Sequence, residues 1–174
     1  MEKQIQGQLP QAAHAAGEYF DRVNGGEWQR IPNLIVNEGL AHILNVAMGS
    51  TPKPTGYYIA LFSGATAPAA NWTASNFAAT AGEIVSLTEG YTAATRPQWT
   101  PTNTNSNSID NMTTVASLTI ATATQLNVTG AALLTNSAKG GTAGVLVSAT
   151  KYAATRTFQN GDVYEVGYRL SLTV

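Results

Sequence analysis

The sequence contains no cysteine, so disulfide bonds, thiolate metal sites and cysteine nucleophiles are excluded. Charged residues are also scarce, at 11% of the 174 residues, against about 25% in typical globular domains. The formal net charge is −1, and no run of Lys or Arg occurs, so we expect no nucleic-acid partner. No apolar stretch approaches the roughly 20 residues of a membrane span, and no signal peptide is predicted, so we expect no membrane association.

The sequence also lacks a recognisable arrangement of catalytic or metal-binding residues. Its two histidines, His14 and His42, have no further His or carboxylate ligands at a suitable spacing. Asp162 and Glu165 are close in sequence, but Asp162 adjoins a turn in which Asp is structurally favoured. The Gly-x-Ser-x-Gly motif is absent, and Lys139 precedes its glycines instead of following them as in a phosphate-binding loop. We therefore predict that the protein is not an enzyme and has no cofactor or metal site.

Thr, Ser, Asn and Gln fill the polar positions instead of charged residues, together with much Ala and Gly. Thr and Val favour strands, whereas Asn and Gly favour turns. A surface with so little charge gives poor colloidal stability to a free protein. The composition therefore suits a β-protein that packs against neighbouring subunits.

Residues 1–32 differ from the remainder of the chain. They are rich in Gln and Ala and show no strand-like alternation, and Asn24-Gly25-Gly26 indicates a turn or joint. We predict an extended N-terminal arm over 1–32, with a short helix over 11–22, followed by one domain over 33–174.

Residues 37–48 have the pattern of an amphipathic helix. Asn37 is a candidate N-cap, and Glu38 lies in the first turn, where a negative charge suits the helix dipole. The spacing i, i+3, i+4, i+7 defines an apolar face, which we expect to pack on a sheet. It consists of Leu40, Ile43, Leu44 and Ala47.

The remainder of the domain has the period of β-strands. Strands are predicted over 57–62, 115–120, 126–134 and 144–152. A long loop is expected over 63–82. Asn160-Gly161 predicts a hairpin that joins 156–158 to a closing strand from Val163, in which Val166, Tyr168 and Leu170 share one face. This pattern predicts a mainly β domain, a β-sandwich or jelly roll with one short helix.

Several segments, in order along the chain, form a recognisable series. They are residues 33–47 with Asn37-Glu38-Gly39-Leu40, the strand 57–62, Tyr91 with Ala94-Thr95-Arg96-Pro97, residues 130–139, and the ending from Gly161 to Thr173. This series resembles a family of tailed-bacteriophage virion structural proteins, and the resemblance covers roughly 33–174.

The resemblance implies a structural protein of the virus particle. The expected function is that of a capsid decoration (cement) protein, located on the capsid surface of the virion. Its expected partners are the major capsid protein and further copies of itself, as a dimer or trimer. The alternative is a tail, collar or fibre component, in which Trp72 or Trp99 could bind a host glycan.

Five aromatic residues are candidates for contact with a partner, because aromatic side chains dominate protein interfaces. Tyr19, Phe20 and Trp28 belong to the expected arm, and Trp72 and Trp99 to expected loops.

Overall fold

The computed structural model describes residues 12–174 and shows a mainly antiparallel β-protein with two helices. The helices are α1 (Asn37–Ala47) and α2 (Ala74–Ala81). The strands are β1 (His14–Val23), β2 (Gln29–Pro32), β3 (Leu34–Ile35), β4 (Tyr57–Phe62), β5 (Gly90–Tyr91), β6 (Gln98–Trp99), β7 (Ser108–Asp110), β8 (Ala116–Ala121), β9 (Leu126–Leu134), β10 (Leu146–Phe158) and β11 (Val163–Thr173).

These strands form two sheets. The six-stranded sheet has the order β2-β1-β11-β8-β5, and β7 also pairs with β11. The five-stranded sheet has the order β3-β10-β9-β4-β6. Every pairing is antiparallel, and the two inner faces enclose one apolar core. The expected β-sandwich is therefore confirmed.

The inter-sheet core follows the alternation of the strands. In β11, Tyr164, Val166 and Tyr168 are buried, as the period of two predicts. In β9, Leu133 faces this core, whereas Leu134 faces a second apolar cluster on the other side of the sheet. This strand is almost continuously apolar because it is buried on both faces.

The second cluster lies under α2. Phe62 of β4 packs edge-on against Trp72 and Phe77, with ring centroids 6.2 and 6.1 Å apart. α2 begins with a capping box between Thr73 and Asn76. The expectation of a continuous loop over 63–82 is therefore wrong for residues 74–81, although the capping signal is present in the sequence.

The N-terminal region corrects a second prediction. β1 pairs with β11 from His14 to Val23, so residues 14–23 form a strand and not the predicted helix. β2 then pairs with β1, so residues 14–32 belong to the sandwich and are not an arm beside it. The remainder of the predicted arm, residues 1–11, lies outside the described residues.

The apolar–polar alternation expected of a strand is not evident in the sequence of β1, because its inward-facing positions include a small and a charged residue. Gly17 is so tightly packed that a Cβ would collide with Asn33 and Tyr168. Asp21 is buried, but it accepts hydrogen bonds from the Arg156 guanidinium (2.8 Å) and the Tyr164 hydroxyl (2.8 Å).

The Asn160-Gly161 turn is present, but the hairpin is not. Gly161 has the positive φ (86°) that such a turn requires. However, β10 belongs to the five-stranded sheet and β11 to the six-stranded sheet. The turn therefore carries the chain from one sheet to the other, because a local turn signal does not specify the strand's partner.

Candidate docking surface

The helix α1 exposes an apolar stripe. The exposed fraction is 40% for Leu40, 64% for Leu44 and 88% for Met48, which follows the last helical residue. These three residues have the spacing i, i+4, i+8 and so lie along one side of the helix. We call them the α1 stripe.

The buried side of α1 is not the predicted one. Gly39 and His42 are buried, and Ile43 is partly buried, whereas Leu40 and Leu44 are exposed. A Cβ on residue 39 would collide with the backbone of Val147 in β10. The absence of a side chain therefore lets the helix approach the sheet closely, and this approach decides which side is buried.

Glu38 connects α1 to two other elements. Its carboxylate accepts hydrogen bonds from the backbone N–H of Leu146 (2.7 Å) and from that of Ala74 (2.8 Å). Ala74 is the first residue of α2, where a carboxylate is favourable for unpaired N–H groups and the helix dipole. Glu38 was predicted to serve the dipole of its own helix, but it also serves that of α2.

His42 holds α1 at the start of β4. Its Nε2 lies 3.0 Å from the Tyr57 hydroxyl, and the two rings meet edge-on at 5.8 Å. Burial lowers the pKa of the His42 imidazole, and the carboxylate of Glu38 partly opposes this shift. The imidazole is therefore held in a dry, hydrogen-bonded position.

A chain of aromatic rings continues inward from Tyr57. Centroid distances are 5.8 Å from Tyr57 to Trp99, 5.7 Å from Trp99 to Tyr168 and 4.8 Å from Tyr168 to Tyr19. The Trp99 indole N–H donates a hydrogen bond to the Tyr168 carbonyl at 2.9 Å. Two of the predicted contact residues, Tyr19 and Trp99, are thus brought together, but inside the protein.

A cavity of about 280 Å³ opens at this end of the sandwich, beside α1. Its walls are mainly apolar and come from both sheets and from α1. Trp99, Ile43 and Leu170 are among the lining residues.

Three of the five predicted contact residues are core residues. Tyr19 is fully buried, and its hydroxyl lies 3.0 Å from that of Ser148. Trp72 belongs to the cluster under α2, and Trp99 belongs to β6. The prediction that Tyr19 and Trp72 form a partner surface is therefore wrong for the folded chain, because their large apolar area is used for packing. Trp99 is also buried in the core and not exposed in a loop, and one part of it lines the cavity.

The other two predicted residues lie on the outer side of the six-stranded sheet. The Arg169 guanidinium lies 4.9 Å from the Phe20 ring centroid, and that of Arg22 lies 4.5 Å from the Trp28 ring centroid. Phe20 is partly exposed, and Trp28 is 36% exposed. These two remain accessible, but each is partly covered by an arginine.

The Ala94-Thr95-Arg96-Pro97 segment contributes Arg96 to a buried ion pair. Arg96 makes two hydrogen bonds of 2.7 Å to the Glu83 carboxylate, and both side chains have no exposed area. The Arg96 guanidinium also donates to the carbonyls of Asn136 (2.8 Å) and Gly141 (3.3 Å). Arg96 therefore joins two of the segments that carried the family resemblance, residues 94–97 and 130–139.

Lys139 and Tyr91 lie beside this ion pair. The Lys139 ammonium donates to the Tyr91 carbonyl at 2.9 Å and lies 3.4 Å from the centroid of the Tyr91 ring. Burial lowers the pKa of Lys139 to about 8, partly opposed by Glu83. Burial raises the pKa of Tyr91 well above its ordinary range. The segment around Lys139 is thus tied to the core.

Leu40 and Leu44 of the α1 stripe were predicted to pack in the core, and Met48 was not included in that prediction. Two sides of α1 could pack against the sheet. A count of apolar residues favours the side that carries Leu40 and Leu44. The glycine at position 39 and the small or neutral residues around it are the signal that could have reversed the assignment.

Within residues 12–174, no helix is long and apolar enough to cross a membrane. The same part of the chain contains no group of three or more His, Cys, Asp or Glu side chains placed to hold a metal ion. The fold and the surface define an antiparallel β-sandwich that carries an apolar, helix-borne surface. No protein-family model matches the chain, and no curated protein matches it in sequence.

Proposed function

We propose that this chain is a structural protein of a tailed-bacteriophage particle, a decoration protein that docks on the capsid through α1. The observation that carries the proposal is the α1 stripe. It places Leu40, Leu44 and Met48 in water on a helix whose other side is held tightly in the fold. Apolar surface of this kind on a soluble domain marks an interaction site.

The exposed side of α1 is also free of charge. The exposed residues between Leu40 and Met48 are apolar or Asn, and the helix's one acidic residue, Glu38, is engaged with backbone N–H groups. Uncharged, apolar positions at i, i+4 and i+8 suit a helix that lies in a groove of a partner protein. This supports a protein partner for α1.

The small exposed area of α1 supports a protein that binds its partner in many copies. An 11-residue helix is about 16 Å long, so its exposed side covers much less than the roughly 800 Å² per partner of a standard interface. A single contact of this size is weak, but contacts made together on a lattice gain strength through effective concentration. Binding to the major capsid protein and self-association, as a dimer or trimer, are both part of the proposal.

The copy number in the particle tests the location. Particles made by the phage that encodes this chain are purified, and the chain is quantified against the major capsid protein by gel densitometry. We expect copy numbers of the same order for the two proteins. About a dozen copies per particle would contradict decoration and favour the tail or collar alternative.

A matched pair of variants tests the surface. Leu44→Asp places a charge in the α1 stripe, and Val163→Asp places one at an exposed apolar residue of β11. Both variants are expected to keep the parent's stability within about 0.5 kcal/mol, since both positions are exposed. Parent and Val163→Asp should bind capsids that lack the protein and raise their opening temperature.

The Leu44→Asp variant should bind those capsids at least about tenfold more weakly, which corresponds to about 1.4 kcal/mol. Equal binding of Leu44→Asp and Val163→Asp would exclude α1 as the docking surface. A large loss of stability in Leu44→Asp would instead show that this side of the helix is packed.

A further inference from the structure

The cavity lies beside α1, the helix that carries the α1 stripe. Ile43 lines the cavity, while its chain neighbour Leu44 lies in the stripe. One helix therefore contributes Ile43 to the cavity wall and also carries the α1 stripe.

The walls of the cavity are suited to an apolar group. Trp99, Leu133, Val147 and Leu170 come from both sheets and provide aromatic and aliphatic surface. The cavity volume of about 280 Å³ lies just below the roughly 300–1,000 Å³ of small-ligand sites. It is therefore large enough for one large side chain and too small for a folded element.

One charged residue lies in the lining. Lys53 is exposed, and it forms no hydrogen bond or ion pair with any residue in the described range 12–174. An ammonium group beside an apolar opening favours a carboxylate on the group that enters. The chemistry of the lining thus combines one cation with an apolar pocket.

We propose that the cavity receives an anchor residue of the capsid partner: a large aromatic or aliphatic side chain with a carboxylate on a neighbouring residue. The inference rests on the proposed function, since the partner is the protein on which α1 docks. Buried aromatic or aliphatic anchors in a pocket carry most of the binding free energy of many interfaces. The α1 stripe would exclude water around the anchor, and Lys53 would select its neighbour.

The isolated full-length chain tests the pocket with two probes, N-acetyl-Phe-Glu-amide and N-acetyl-Phe-Lys-amide. The chain has three tryptophans, so three indole N–H signals are expected in a ¹⁵N–¹H NMR spectrum. The signal of Trp99 is assigned with Trp99→Phe. We expect the Glu probe to shift the Trp99 signal saturably, about fivefold more tightly than the Lys probe, and to leave the Trp72 signal unchanged.

Charge reversal at the opening provides the matched control. Lys53→Glu should reverse the preference between the two probes, whereas Lys151→Glu, at an exposed residue outside the cavity lining, should leave it unchanged. A Trp99 signal that neither probe moves, or that both move equally, overturns the inference. A Trp99 signal that moves with protein concentration alone also overturns it, since the occupant would be a second copy.

Capsid binding separates this inference from the proposed function. We expect Lys53→Glu to weaken binding about fivefold, and Lys151→Glu to bind as the parent does. If Leu44→Asp loses capsid binding but Lys53→Glu does not, the docking function stands and the anchor pocket is wrong. If neither variant loses binding, both the docking surface and the pocket are wrong.

Discussion

Two outward regions of the sandwich use opposite kinds of side chain. The outer side of the six-stranded sheet carries three ion pairs: Arg22 with Glu165 (2.6 Å), Arg169 with Asp110 (2.9 Å), and Arg30 with Glu18. The end covered by α1 exposes leucine and methionine and no charged residue of the helix. Six charged residues are therefore paired on the outer side of the six-stranded sheet, whereas the exposed residues of α1 are uncharged.

The two regions differ in how their surface side chains interact with water. Charged pairs keep one side of the sheet hydrated and lie over Phe20 and Trp28, whose rings would otherwise be more exposed. A hydrated, paired surface resists association, while an apolar helix favours it. The molecule thus has one side that carries hydrated ion pairs and one that exposes apolar residues of α1.

The largest effect on stability is expected from the replacement of Arg96, a buried charged residue that lies on neither surface. Arg96→Met would leave the Glu83 carboxylate buried without its partner, and breaking such a pair costs about 3–5 kcal/mol. Urea unfolding followed by circular dichroism measures the loss. The double variant Arg96→Met/Glu83→Leu should recover a large part of it, and a double variant as unstable as the single one would show that the pair does more than neutralise charge.

A smaller effect is expected where α1 meets the sheet. Gly39→Ala would push a Cβ into the backbone of Val147, and such overpacking costs about 1–3 kcal/mol. Thermal unfolding measures this cost, and Ala41→Ser on the exposed side of the same helix is the control. If both variants melt like the parent, close approach at residue 39 does not hold the α1 stripe outward.

The outer ion pairs should contribute less than the packing of α1. Arg169→Met removes the pair with Asp110 and the contact with Phe20, and a partly exposed pair is worth about 0.2–1 kcal/mol. The difference from the parent should shrink in high salt, because exposed charges are screened. Arg169→Lys, which keeps the charge, should lose less, and a salt-independent difference would assign the effect to packing on Phe20.

The smallest effect is expected in the pH dependence of stability, through His42 in α1. The pKa of His42 is lowered by burial, so the unfolded chain binds a proton at His42 more readily than the folded chain does. The contribution of His42 to the free energy of unfolding should therefore have its full value above the ordinary histidine pKa of about 6.5. It should decrease as the pH falls below that value.

A His42→Gln variant should remove this part of the pH dependence, because glutamine does not titrate and can still reach the Tyr57 hydroxyl. Stability curves in urea between pH 5 and 8 measure the difference. His14→Gln, at the exposed start of β1, is the matched control. Identical slopes for His42→Gln and the parent would show that His42 does not couple folding to pH.

The comparison of the two regions also shows where sequence patterns were sufficient. β9 and β4 were predicted with their observed bounds, and α1 nearly so, because periodicity and turn residues act between near neighbours. α2 was missed because the mixed Ala, Thr and Asn composition of 63–82 was interpreted as a loop, although Phe77 and the cap at Thr73 fit a helix. Three of the five proposed contact residues are core residues, because an aromatic side chain suits a core and an interface equally.

What the sequence determined by itself is the β class, the helix at residues 37–47 and the turn at Asn160-Gly161. Tertiary structure alone decided that this turn joins two sheets, that β1 pairs with β11, and that Leu44 faces water. The physical reason is range: propensity and periodicity depend on residues a few positions apart. Burial and strand pairing depend on residues over a hundred positions away, such as the β10 backbone that Gly39 contacts.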